Sequence, residues 1–246
     1  MLTLADHLLA FVIVAGLPLR AWTGMRALRA APAARVPALR RRLWWRAIAM
    51  QWSLAAIVLV VWLRHFRSPI TLGLGLEPTA GLAGVLVGLT TIVSLVLRQR
   101  GALATDEALR ARVRERLAPV ERLMPHRDHE YPLFAVLACT AGLCEEFLFR
   151  GWLLWYLGHL VPVPVAYLLQ AVVFGLAHFY QGLRGIVMTG LAGAFFTGVR
   201  IVSGSLWPAM LIHALMDLHA GDLARRVFPP DDDRSGDGPR ELGKGA

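Results

Sequence analysis

Glu145 and Glu146 stand side by side within an apolar run at 131–165, and Arg150 follows four residues after the second of them. The run is long enough to cross a membrane, where even the gentlest scale sets the cost of an Asp or Arg at mid-bilayer at roughly 2.5–3.5 kcal/mol. Such groups are tolerated where they face a protein interior or a water-filled cavity and have partners. Two more polar clusters follow inside apolar runs, Phe174 with His178 and His213 with Asp217. In all three the end residues are four apart, which on an α-helix puts them on one face, one turn apart. Glu146 is the acid at i,i+4 to Arg150, and the acid precedes the cation, which is the favourable order. The spacing therefore predicts that Arg150 holds Glu146 and leaves Glu145 free to face elsewhere. It also predicts that the three faces converge on one wet pocket.

A carboxylate beside an imidazole can hold a water and take its proton. Burial raises a carboxylate's pKa towards the range that suits a general base. A second histidine and an aspartate on a facing helix can donate to a developing oxyanion, or order a donor. This is equipment for hydrolysis without a protein nucleophile. No serine sits in a nucleophile elbow, and neither Cys139 nor Cys144 adjoins a histidine. Taken singly, each cluster has a plain structural reading as a packed histidine, an ion pair between helices or a polar clamp. Their occurrence in three separate membrane spans favours a site, because ionisable groups within membranes are functional by default.

The elements that must position these groups are membrane helices. The chain has 246 residues and is 56% hydrophobic, against about 45–50% for a soluble domain. Spans of about 20 apolar residues are expected at 2–19, 45–63, 78–97, 133–157, 163–179, 185–199 and 206–220. The fold class is thus an all-α polytopic membrane protein of about seven transmembrane helices, the last four forming the catalytic core. Three parts are expected: N-terminal helices with basic loops at 1–130, the core at 131–222, and a disordered cytoplasmic tail at 223–246. The tail includes the acidic run Asp231, Asp232 and Asp233, read as solvated. The net charge of +9 does not mean nucleic acid, because the arginines cluster between apolar runs as in a membrane protein. Their excess in 20–46, 98–130 and after Arg225 places those segments in the cytoplasm and the N-terminus outside. Residues 1–20 read as a first span rather than a cleaved signal. A stretch at 106–123 has the charge spacing of a surface helix.

The remaining candidates are weaker. His7, His65, His126, His129 and His159 fall near span ends or in loops and are expected to be solvated or interfacial. His219 lies six residues after His213 and points to another face. The glycines Gly182, Gly185, Gly190, Gly193 and Gly198 suggest close helix packing rather than a phosphate loop. Cys139 and Cys144 are five apart, which is neither a redox pair nor a zinc pattern, and no disulfide is expected. A transporter is disfavoured because paired inverted repeats are absent from the sequence.

Glu145-Glu146-x-x-x-Arg150, then Phe174-x-x-x-His178, then His213-x-x-x-Asp217, in that order and with Gly151 after the arginine, resembles one family. It is the CPBP family of intramembrane proteases (CAAX protease and bacteriocin-processing, also called Abi), to which the type II CAAX prenyl endopeptidases are related. The resemblance covers about 133–220. It implies an intramembrane endopeptidase in which Glu145 activates the attacking water and His178 helps hold it. His213 and Asp217 would form the oxyanion side, Glu146 and Arg150 would support the site, and Phe174 would line it. The substrate implied is a membrane-embedded or lipidated polypeptide, and the location a bacterial inner membrane. Asp217 stands where the prenyl proteases carry Asn. An ionised Asp cannot donate to an oxyanion, so it must be protonated, bind a cation or orient His213. A metal-free mechanism is favoured, without HExxH. In a zinc-dependent version, Glu145, His178, His213 and Asp217 are the ligands. The competing readings are a catalytically inactive membrane scaffold or an immunity protein of the same fold.

Overall fold

The computed structural model describes residues 1–75 and 79–229, and among them all regular structure is helical. Thr3 and Asp6 form a capping box that starts α1 (Leu4–Phe11). A π-helical turn, Val12–Gly16, carries the chain without a break into α2 (Leu17–Ala30). A short linker leads to α3 (Val36–Arg64), with Pro37 in its first turn, where a missing N–H costs nothing. Next come α4 (Ala80–Ala102) and α5 (Glu107–Leu117), the latter capped by Asp106. Then α6 (Tyr131–Glu145) passes through a π-helical stretch, Glu146–Leu153, into α7 (Leu154–Gly158). The chain closes with α8 (Val163–Ala177), α9 (Leu183–Ser203) and α10 (Trp207–Val227).

Five of these helices are long and apolar enough to cross a membrane: Leu4–Ala30, Ala33–Arg64, Ala80–Ala102, Asp128–Gly158 and Leu183–Ser203. The other two expected spans are α8 and α10. The 15 residues of α8 reach only about 22 Å at 1.5 Å per residue, and α10 has the length but carries His213, Asp217, His219 and Asp222. Contacts sort helix ends into two groups. At one end Arg67 binds Asp6 and the Met1 carbonyl, His7 meets the Tyr156 hydroxyl, and Ser205 donates to the Gly75 carbonyl. At the other, Arg122 donates to the carbonyls of Leu28, Arg29 and Ala31, Arg29 donates to that of Tyr180, and Arg225 pairs with Asp128. The protein is therefore a polytopic all-α membrane protein whose passes alternate between these ends.

Several boundaries differ from the expected ones. Most of 20–46 is helix rather than loop, because hydropathy detects only the lipid-facing part while α2 and α3 project beyond it; only residues 31–35 link them. The expected tail at 223–246 begins too early. Leu223, Ala224, Val227 and Phe228 are buried against Leu103 and Val113, and this contact keeps α10 helical to Val227. The remainder of the tail, Asp231 to Asp233 included, lies outside the described residues. His126 is buried, not solvated. Its backbone N–H donates to Glu130 and its ring stacks on Phe228. His7, His65, His129 and His159 are exposed. Both cysteines are free thiols.

The core gathers around the π-helical stretch, all eight residues of which are buried. Leu148, Trp152 and Leu153 pack with Ile13, Val58, Trp62 and Leu206. Two glycines fix the helix approaches beside it. A Cβ on Gly142 would fall 2.7 Å from the Met210 carbonyl and the Ala214 nitrogen, so α6 and α10 touch backbone to backbone. A Cβ on Gly175 would fall 2.6 Å from the Ile186 carbonyl, which brings α8 equally close to α9. Of the glycines read as packing positions, Gly193 faces Arg150 and Phe174, and Gly190 faces the Ala171 carbonyl and Gly175. Gly182 instead has φ +84 in the turn before α9, and Gly198 faces open space.

Candidate active site

Glu146 and Arg150 are both fully buried, and Arg150 Nη1 donates to Glu146 Oε1 at 2.9 Å. The pair expected from α-helical spacing forms although this stretch is π-helical, a variant often found at functional sites. The rest of the guanidinium is held differently. Arg150 Nε and Nη2 are buried without hydrogen-bond partners among the described residues, while its Cζ lies 3.8 Å from the centre of the Phe174 ring and 5.4 Å from that of Phe196. The aromatic faces supply part of the stabilisation that water would give. Gly193 makes room for this seat, since a Cβ there would be 3.2 Å from Arg150 Nη2 and from the Phe174 ring.

His213 reaches the same carboxylate from α10. Its Nδ1 is 2.7 Å from Glu146 Oε1. An ionised carboxylate only accepts, so Nδ1 donates there, and Nε2 is left to face away. The imidazole stacks on Phe196 at 4.9 Å and meets the edge of Phe174 at 6.3 Å. Asp217 is not the residue that orients it. Asp217 Oδ2 lies 3.7 Å from His213 Nε2, outside hydrogen-bond range, and its side chain is 42% exposed against 8% for His213. Glu146 does the orienting, across 67 positions in sequence.

His178 caps α8 just beyond Ala177, and its Nδ1 is 2.9 Å from the Phe174 carbonyl. A carbonyl only accepts, so Nδ1 carries the hydrogen and Nε2 is free for another partner. The two rings lie 4.9 Å apart, so Phe174 touches His178, Arg150 and His213 together. Asp217 feels the charges of His213, Glu145, His178 and Glu146, so these five acidic and basic groups share one electrostatic neighbourhood.

Glu145 is half-buried and turns away from Arg150, as expected. Its Oε1 accepts from Gln51 Nε2 of α3 at 3.0 Å. Neither Gln51 nor Phe196 figured among the expected site residues. The signal for Gln51 was present: it is a lone amide in an apolar span, and a polar group there needs a partner.

Residues 127–219 match the Rce1-like family model, that of the type II CAAX prenyl endopeptidase Rce1-like proteins. No curated protein and no solved structure matches the chain. The matched segment covers less than half of the 246 residues, yet it contains Glu145, Glu146, Arg150, Phe174, His178, His213 and Asp217. Gln51 lies outside it. Among the described residues, no three His, Cys, Asp or Glu side chains are grouped to hold a metal. His213 Nδ1 is engaged by Glu146 and His178 Nδ1 by the Phe174 carbonyl, so each imidazole presents Nε2 to the site.

Proposed function

We propose that the protein is an intramembrane endopeptidase that hydrolyses a peptide bond of a membrane-embedded or lipidated polypeptide. The observation that carries this reading is the fully buried carboxylate of Glu146, shared between Arg150 and His213 directly beside the half-buried Glu145. The match of residues 127–219 to an endopeptidase family supports it. Glu145 takes a proton from the attacking water, which His178 Nε2 helps to hold. The oxygen of that water bonds to the scissile carbonyl carbon, and the carbonyl electrons move to oxygen. His213, held by Glu146, donates from Nε2 to the oxyanion when protonated. Collapse breaks the C–N bond, and the leaving amine takes the proton from Glu145. Asp217 sits at the rim, where a protonated carboxyl adds a second donor.

The test is cleavage of peptides by purified protein in detergent, with metal content measured on the same sample. Glu145→Gln is expected to fold normally and to lose activity, by at least the 10²–10⁴-fold typical of a general base. Full cellular activity of that variant would favour the scaffold reading. Turnover is expected to survive a chelator, and stoichiometric zinc whose removal stops it would overturn the metal-free mechanism. We further propose a bacterial inner-membrane location with the N-terminus outside. Reporter fusions at residues 31–35 and 103–106 should then report cytoplasm, and an external signal from either would reverse the orientation.

A further inference from the structure

Gln51 is half-buried on α3, in the middle of an apolar span, and its one hydrogen bond goes to Glu145. Because a carboxylate only accepts, the amide must present Nε2 to Glu145, which fixes its orientation. Its other atom, Oε1, is buried without a partner among the described residues. An amide in an apolar helix normally satisfies both ends or turns to water. Here one end is left unsatisfied so that the other can reach Glu145. The neighbouring turn of α3 is tied to α6 as well, through Trp52 Nε1 and the Thr140 hydroxyl at 3.2 Å. The base therefore rests on a helix outside the family-matched segment.

We propose that Gln51 is a positioning residue for the base. It clamps Oε1 of Glu145 and leaves Oε2 to take the proton from water. This rests on the endopeptidase reading for its catalytic consequence but not for its geometry. Without the donor, the Glu145 carboxylate loses its fixed orientation and turns more freely towards the site opening. A side chain that only fills space would not hold it.

Gln51→Met keeps the shape of the side chain and removes the donor; Gln51→Leu is the second variant should the first fold poorly. Both are made in the full chain, purified in detergent and melted beside the wild type. Two readouts follow. The first is the rate at which dicyclohexylcarbodiimide, a carboxyl reagent, reaches and modifies Glu145, read by mass spectrometry with Glu145→Gln as the blank. The second is kcat and KM on a cleaved peptide. The expected result is a several-fold faster modification of Glu145, with kcat lower by about tenfold or more and KM and melting unchanged. Modification and kcat both at wild-type values in a well-folded variant would overturn the proposal. Faster modification in a protein that cleaves no peptide would uphold the positioning of Glu145 and sink the endopeptidase reading instead.

Discussion

Arg40 and Glu130 form a buried ion pair where α3 meets the start of α6, and Arg150 and Glu146 form another at the centre of the molecule. The chemistry is the same, but the two carboxylates are treated differently. Both oxygens of Glu130 are bonded: Arg40 Nη2 reaches them at 2.7 and 2.9 Å, and the His126 N–H adds a third bond. Glu146 gathers Arg150 and His213 on Oε1, while Oε2 is buried with no partner among the described residues. An unsatisfied buried group costs about 1–3 kcal/mol. The first pair is closed, and it fastens two helices. The second keeps acceptor capacity and an imidazole in reserve, an incompleteness that native proteins tolerate at sites rather than in scaffolding.

The largest effect should come from breaking either pair on one side. Arg40→Ala and Arg150→Ala each leave a buried carboxylate without its cation, a loss of roughly 3–5 kcal/mol. Both variants are expected to accumulate poorly and to melt well below the wild type in detergent. If either melts like the wild type, that pair is not structural.

Replacing each pair entirely by apolar residues should separate them. Arg40→Met with Glu130→Leu removes an ion pair whose carboxylate is fully bonded, together with its desolvation cost, which is often neutral or stabilising by about 1–4 kcal/mol. That double variant should keep its activity. Arg150→Met with Glu146→Leu should also fold, but His213 then loses the acceptor that fixes its tautomer, and turnover should fall by about 10²-fold or more. Equal activity in the two double variants would erase the distinction between a closed pair and an open one.

The helix-period spacing made the local half of this site readable in advance. Glu146 and Arg150 sit four apart and do meet, and Phe174 and His178 are joined through the carbonyl four residues back. Contacts between helices were not readable, because sequence spacing says nothing about which faces meet. That is why His213 was matched with Asp217, its neighbour on α10, when its partner is Glu146 on another helix. The same limit hid Phe196, unremarkable within its own helix, and the partner of Gln51, which stands out only as a lone amide in an apolar span. Five of the expected spans were legible because hydropathy reports burial in lipid directly. Helix ends were not, since α2, α3 and α10 continue past the apolar stretch wherever tertiary contacts hold them. Arg67, just past the end of α3, is bonded through both terminal nitrogens to Asp6 at 2.7 Å and lies over Trp155, so it is no free positive charge.

The smallest effect should come from a carboxylate with more cations than it needs. Asp222, near the end of α10, accepts from Arg225 and Arg226 of its own helix, and Arg100 of α4 reaches it at 2.8 Å. Arg100→Ala removes one of three partners and leaves the carboxylate satisfied by the other two. The Arg100 side chain is 42% exposed, so solvent already screens much of the attraction, and pairs of this kind contribute about 0–1 kcal/mol. Melting should shift little and peptide cleavage not at all. The contact also ties α4 to α10, and His219 adds a second tie through Gln99, so loss of one leaves the other. If Arg100→Ala destabilised the protein as much as Arg40→Ala, saturation of the carboxylate would not be what separates structural pairs from the open pair at the site, and the comparison would have to rest on burial alone.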